Sequence, residues 1–249
     1  MKGDDGLGVG GSVILSVHSI MTVTAVLLEL TGVTKHYGAL RPLRVDGLVL
    51  VPRDEVALLG LDQPAAEVLI NLLTGASLPD TGAVRIFGEP TSAITDATAW
   101  LTMLDRFGIV SERSAFLEPL TVLQNMAVPF SLDIEPPPAE VIEQVTALAV
   151  EAGLAPSMLE RRVGDLDPLS RMRVRLGRAL ALNPAVVILE HPSATLPRVD
   201  VVAFAVSVRK LVERRGCATL TITADPELAG AIAERPLVLE PATGRLRRP

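Results

Sequence analysis

The residues best placed for chemistry lie between two apolar segments. They are Gly60, Leu61, Asp62, Gln63, Pro64, Ala65, Ala66, Glu67 and Val68, preceded by Val56-Ala57-Leu58-Leu59 and followed by a run ending at Gly75. Strand, short loop, helix and glycine stop is the frame in which a phosphate-cradling loop sits. The loop pattern is G-x-x-x-x-G-K-[ST], and only Gly60 agrees with it. Gln63 and Ala65 stand where glycines would let the backbone wrap a phosphate, and Pro64 contributes no N–H. Ala66 takes the lysine position and Glu67 that of the Mg²⁺-binding hydroxyl.

The missing lysine removes a charge-assisted contact of roughly 1.5–3 kcal/mol. A carboxylate about 4 Å from a phosphate charge adds up to roughly 4 kcal/mol of repulsion at an effective dielectric of 20. Half of that sum weakens a micromolar site around a hundredfold. A carboxylate in a helix's first turn also satisfies the positive end of the macrodipole. Glu67 is therefore expected to act as the local anion of its own helix, in place of a phosphate.

The surrounding elements follow from hydrophobic period. Strands are predicted over Val26 to Glu29, Leu43 to Val51, Val56 to Leu59, Ala83 to Phe87, Gly108 to Val110, Val186 to Leu189, Thr219 to Thr223 and Leu237 to Leu239. The Leu43, Val45, Leu48, Leu50 alternation suits a half-buried antiparallel strand. Helices are predicted from about Ala65 to Gly75, Ala93 to Phe107, Leu120 to Met126, Ala139 to Gly153, Pro168 to Leu182, Ala203 to Arg214 and Pro226 to Ala233. Gly244 to Pro249 reads as a polar tail. Strands alternating with helices imply a mostly parallel sheet covered on both faces. Residues 95–165 read as a mainly helical subdomain inserted in an α/β core, and residues 25–249 as one domain.

Composition narrows the function classes. A hydrophobic fraction of 49% over 249 residues is ample for a core, with aromatics at only 3%. A net charge of −6 argues against a nucleic-acid partner, which usually requires a basic excess. The single Cys217 excludes an internal disulfide and a cysteine-rich metal site, and suits a small buried hydrophobe in a cytoplasmic setting. Residues 1–24 are expected to form a flexible extension, with Met21 a second candidate start. The apolar Val13 to Leu30 stretch is interrupted by Ser16, His18, Ser19, Thr22, Thr24 and Glu29. It falls short of about 18 uninterrupted apolar residues and lacks a basic leader.

Several stretches share one order and spacing. They are Leu30 to Gly38, Asn71-Leu72-Leu73-Thr74-Gly75, Pro79-Asp80-Thr81-Gly82, Phe87-Gly88, Leu120 to Asn125, and Arg178 to Pro184 followed by Val186 to Leu189. Together they resemble the ATP-binding cassette of ABC transporters over about Val26 to Leu246. The resemblance implies a P-loop NTPase-like α/β fold with an antiparallel β region and an inserted helical subdomain. It also implies a role for each aligned position. Tyr37 stands at the adenine-stacking position. Gly60, Asp62, Gln63, Ala65, Ala66, Glu67 and Val68 stand at those of the nucleotide loop. Glu112 replaces the glutamine that contacts Mg²⁺ and the attacking water. Glu190 replaces the metal-binding aspartate, His191 the catalytic glutamate and Ala224 the switch histidine. Leu166 to Ser170 aligns with the signature, where Asp167-Pro168-Leu169 replaces serine-glycine-glycine. Pro197 replaces the aspartate of the dimer-contact loop.

With these positions replaced together, the sequence implies a cassette subunit that has lost efficient ATP binding and hydrolysis. No catalytic residue, no metal site and no cofactor is expected; ATP and Mg²⁺ belong to the alternative, a divergent working transport ATPase. Glu112 is expected to be a solvated carboxylate beside Arg113, and Arg171, Arg173, Arg175 and Arg178 to be solvated or salt-bridged. The implied partners are a membrane-spanning permease, another cassette subunit, or both, in a homo- or heterodimer. The implied location is the cytoplasmic face of the plasma membrane. A soluble regulatory module without a transporter is the third reading.

Overall fold

The computed structural model describes residues 25–249. The expectations for residues 1–24, including the Met21 start, lie outside the described residues. Two sheets are present among the described residues. The first is antiparallel, in the order β2-β1-β4-β5, built from β1 (Leu28–Lys35), β2 (Leu43–Leu50), β4 (Thr81–Ile86) and β5 (Glu89–Pro90). The second has the order β10-β9-β3-β8-β7-β6. Its strands β3 (Glu55–Leu59), β6 (Phe107–Val110), β7 (Val186–Glu190), β8 (Ala218–Ile222) and β9 (Arg235–Leu239) run parallel. The edge strand β10 (Leu246–Arg247) pairs antiparallel with β9.

The parallel strands have apolar side chains on both faces, as a sheet covered on both sides requires. In β3, Val56 and Leu58 join one core, while Ala57 and Leu59 join the other. β7 divides likewise, with Val186 and Ile188 against Val187 and Leu189. The first core includes the antiparallel sheet and α1 (Gln63–Leu73), through Leu69, Leu72 and Leu73. The second gathers α3 (Val122–Ala127), α4 (Ala139–Glu151), α5 (Pro168–Leu180), α6 (Arg198–Arg215) and α7 (Pro226–Ile232). Cys217 is buried in that second core, and burial pushes its thiol pKa up.

Several boundaries differ from the sequence reading, and β1, for one, runs on past Glu29 to Lys35. The Ala93 to Phe107 helix contracts to α2 (Ala97–Leu104), because Asp96 caps its start and Phe107 joins β6. α6 begins at Arg198, directly after Pro197, whose fixed φ suits a helix entry. The tail folds back as β10, since Glu240 N donates to Arg245 O across a turn. No helix among the described residues is long and apolar enough to cross a membrane.

Asp80 closes the turn after α1 against the end of β1. It accepts from His36 N at 2.7 Å, His36 Nδ1 at 2.9 Å and Lys35 Nζ at 3.1 Å. The His36 backbone N–H, then its ring, then Lys35 hold the carboxyl well below the usual range. A depressed folded pKa adds stability that is complete above the unfolded value of about 3.9 and lost as pH falls below it. Urea unfolding of wild type and Asp80→Asn should therefore differ most at neutral pH, and the difference should shrink at pH 3. A gap that widens on acidification would contradict this.

Candidate functional site

The parallel strands bring their carboxyl ends to one edge of the sheet, where open α/β folds place ligands. β3 delivers Gly60, β8 delivers Thr223 and Ala224, β7 delivers Glu190 and His191, and β6 delivers Ser111, Glu112 and Arg113. The positions separated in sequence are thereby assembled, with α1 starting on the same edge.

The loop after β3 is closed by its own groups. Asp62 caps α1, accepting from Ala65 N at 2.9 Å through Oδ1, while its carbonyl accepts from Ala66 N at 2.9 Å. α1 starts at Gln63, two residues before the sequence reading, with Pro64 in its first turn. Glu67 is therefore beyond the first turn, and the macrodipole anion is Asp62. The expectation that Glu67 caps the helix is corrected accordingly. Ala66 is wholly buried, Ala65 nearly so, and Val68 packs partly buried beside the first core.

Glu190 is the hub of the edge. The residue is 2% exposed, and a carboxylate at that depth needs donors. Gln63 Nε2 donates to Oε1 at 2.7 Å. Oε2 accepts from Ser111 Oγ, and from Arg113 Nε and Nη2 at 3.2 and 3.0 Å. The same guanidinium reaches Glu67 Oε1 through Nη1 at 2.8 Å. Arg113 N also donates to Ser111 Oγ at 3.1 Å, fixing the loop that carries it. Glu67, Arg113 and Glu190 thus form one ion-pair chain from α1 to β7.

Glu112 points elsewhere. It pairs with Arg175 at 2.7 Å and accepts from Thr195 Oγ1 at 3.0 Å, so it is bonded and not simply solvated. Arg175 is itself buried and lies 4.6 Å above the Phe116 ring. Arg171 pairs with Glu118, and Arg178 donates to Ala115 O at 2.8 Å. In the signature segment, Asp167 caps α5 by accepting from Ser170 N at 2.9 Å and Ser170 Oγ at 2.6 Å. The Ser170 hydroxyl, against an opposing desolvation cost, holds its carboxyl below the ordinary range. Pro168 sits at the helix entry, where a missing N–H costs nothing. These replacements make a sound helix start.

His191 follows Glu190 with φ of 43°, a left-handed conformation uncommon for a residue with Cβ. Its backbone N–H donates to Ile222 O at 2.7 Å, and its buried Nε2 has no partner among the described residues. Ala224 is exposed, and a methyl group has no proton to transfer. Tyr37 reaches the loop from the antiparallel sheet. With Arg41, Gly60, Asp62 and Ala65 it lines a cavity of about 170 Å³. Burial, then the Asp62 charge, pushes its phenol pKa up.

Against a triphosphate with a divalent ion, this arrangement does not fit as it stands. The cavity is smaller than the roughly 300–1,000 Å³ of ordinary ligand sites. The Ala65 and Ala66 N–H groups are already bonded to Asp62, and no lysine among the described residues lines the cavity. Among the described residues no group of three His, Cys, Asp or Glu stands ready for a metal. Sequence reasoning singled out Gln63, Glu67 and Glu190, but not the Ser111 and Arg113 groups that join them. The link from Arg113 to Glu190 spans 77 residues, and only the place of Arg113 next to Glu112 hinted at it.

The sheet order, the loop between β3 and α1, and the ligand edge define a P-loop NTPase-like cassette fold. No protein-family model matches the chain. It is 30% identical over 182 residues to the lipoprotein-releasing system ATP-binding protein LolD of Pseudomonas fluorescens, covering 73% of this chain and 79% of that protein. It is 27% identical over 212 residues to the sulfate/thiosulfate import ATP-binding protein CysA of Thermosynechococcus vestitus, covering 85% of this chain. The chain spans 61% of that relative's length.

Among solved structures, a dimeric bacterial ABC transporter cassette superposes with a TM-score of 0.72 at 21% identity, over 89% of this chain and 98% of that one. The ATP-binding cassette in a post-hydrolysis dimer bound to ADP and Pi gives 0.71 at 20% identity, over 89% and 98%. CbiO1 of Clostridium perfringens, part of the transporter complex cbiONQ, gives 0.73 at 18% identity, over 90% and 87%. The chain belongs to the family of ABC transporter ATP-binding subunits. That membership corrects one expectation from the sequence. The relatives are ATP-binding proteins, and one structural neighbour was solved with ADP and Pi, so a reading with no cofactor does not stand.

Proposed function

We propose that this chain is a cassette subunit of a membrane transport system, with ATP and Mg²⁺ as its ligands, whose own site binds and turns over ATP inefficiently. It works at the cytoplasmic face of the membrane as a structural or regulatory partner. It docks a permease through the helical region around α3 and α4, and pairs with a second cassette subunit, as the dimeric neighbour does with its own copy.

One observation carries this reading. Glu190, at the metal-binding position, is held by Gln63, Ser111 and Arg113, while Arg113 also neutralises Glu67. Ligand entry must break these bonds, and the loop offers no lysine in return. Ala224, and the His191 ring whose Nε2 has no partner among the described residues, supply no assembled base at the water-activating positions.

Calorimetric titration of the purified protein with ATP in Mg²⁺ tests the proposal. A Kd of roughly 100 μM or weaker is expected, following the hundredfold penalty on a micromolar site. Submicromolar, Mg²⁺-dependent affinity would overturn it.

A further inference from the structure

We propose that Arg113 is the resident cation of this site. Its guanidinium fills the place between Glu67 and Glu190, so a divalent ion reaches those carboxylates only by displacing it. The inference rests on the edge being the family's nucleotide site, as proposed above. That alignment puts Glu67 and Glu190 at two of the protein positions that face the metal.

In this structure the group between them is the Arg113 fork, with Nη1 at 2.8 Å from Glu67 and Nη2 at 3.0 Å from Glu190. A planar guanidinium can serve two carboxylates at once and stays charged at any working pH. Glu190 is too buried to remain without a counter-cation, whereas Arg113 is 39% exposed and has a path outward. The Ser111 hydroxyl, which donates to Glu190 and accepts from the Arg113 backbone N–H, adds a third oxygen beside the Glu190 carboxylate. Two carboxylates and a hydroxyl, completed by water, are the oxygen donors a hard divalent ion takes. Glu112 does not compete, being held away by Arg175 and Thr195.

Mn²⁺ binding to the nucleotide-free protein, followed by electron paramagnetic resonance, tests this. Wild type should bind weakly. Arg113→Ala should bind roughly tenfold tighter or more, about 1.4 kcal/mol, and Arg113→Ala with Glu190→Gln should lose that gain. If Arg113→Ala does not fold, Arg113→Gln, which keeps one donor group and drops the charge, carries the same expectation. Equal affinity in wild type and the folded Arg113 variant would overturn the proposal, as would a gain that survives Glu190→Gln. Because no nucleotide is present, the result is independent of the ATP titration, which judges the proposed function separately.

Discussion

Replacing Glu190 with alanine should destabilise the protein by about 2–4 kcal/mol, read as a lower urea midpoint at pH 7. The side chain is buried and accepts from three residues on two separate segments, α1 and the loop after β6. Its loss leaves the Ser111 hydroxyl buried with its donor unused, costing about 1–3 kcal/mol, and strips Arg113 of its inner partner. Breaking a buried ion pair costs about 3–5 kcal/mol, and the value here falls lower because Arg113 can turn to water.

The sign separates two accounts. A carboxylate held in readiness for an absent metal is a strained, destabilising group, and its removal tends to stabilise a fold. A carboxylate satisfied by Gln63, Ser111 and Arg113 is a structural element, and its removal weakens the fold. Stability equal to or above wild type in Glu190→Ala would show that the network contributes nothing.

Gly60→Ala should cost about 2–5 kcal/mol, combining left-handed backbone strain with overpacking. Gly60 has φ of 93°, and a Cβ there would lie 2.6 Å from Leu239 O in the neighbouring strand β9. Backbone cannot move aside as a flexible side chain can. Gly88 provides the control. Its φ is 90°, yet a Cβ there meets nothing within 4 Å. Gly88→Ala should therefore show only the conformational part, about 1–3 kcal/mol. The one residue that still matches the phosphate-loop pattern thus has a packing reason to be glycine. Equal losses in the two variants, measured by thermal unfolding, would remove that reason.

The frame was legible because it is written in local pattern. Val56 to Leu59, the loop and the apolar repeat of α1 read as strand, turn and helix, and the aligned positions do converge on one edge of the sheet. What the sequence hid was pairing at long range. Arg113 lies 46 residues from Glu67 and 77 from Glu190, and no periodicity marks a guanidinium that bridges two elements. The role of Glu67 was misjudged because α1 starts two residues earlier than its apolar repeat suggests. Asp62, at the N-cap, takes the duty assigned to Glu67. The short elements escaped for a related reason. β10 has only two residues, and α2, read too long at both ends, has no buried residue to mark its limits.

The most direct test of the account is steady-state ATP turnover in Mg²⁺ by the purified chain, run beside Glu190→Gln. The account predicts turnover close to the buffer background in wild type and no lower in Glu190→Gln, because the site's own ion pairs stand where ligand must enter. Magnesium-dependent turnover in wild type that disappears in Glu190→Gln would contradict it.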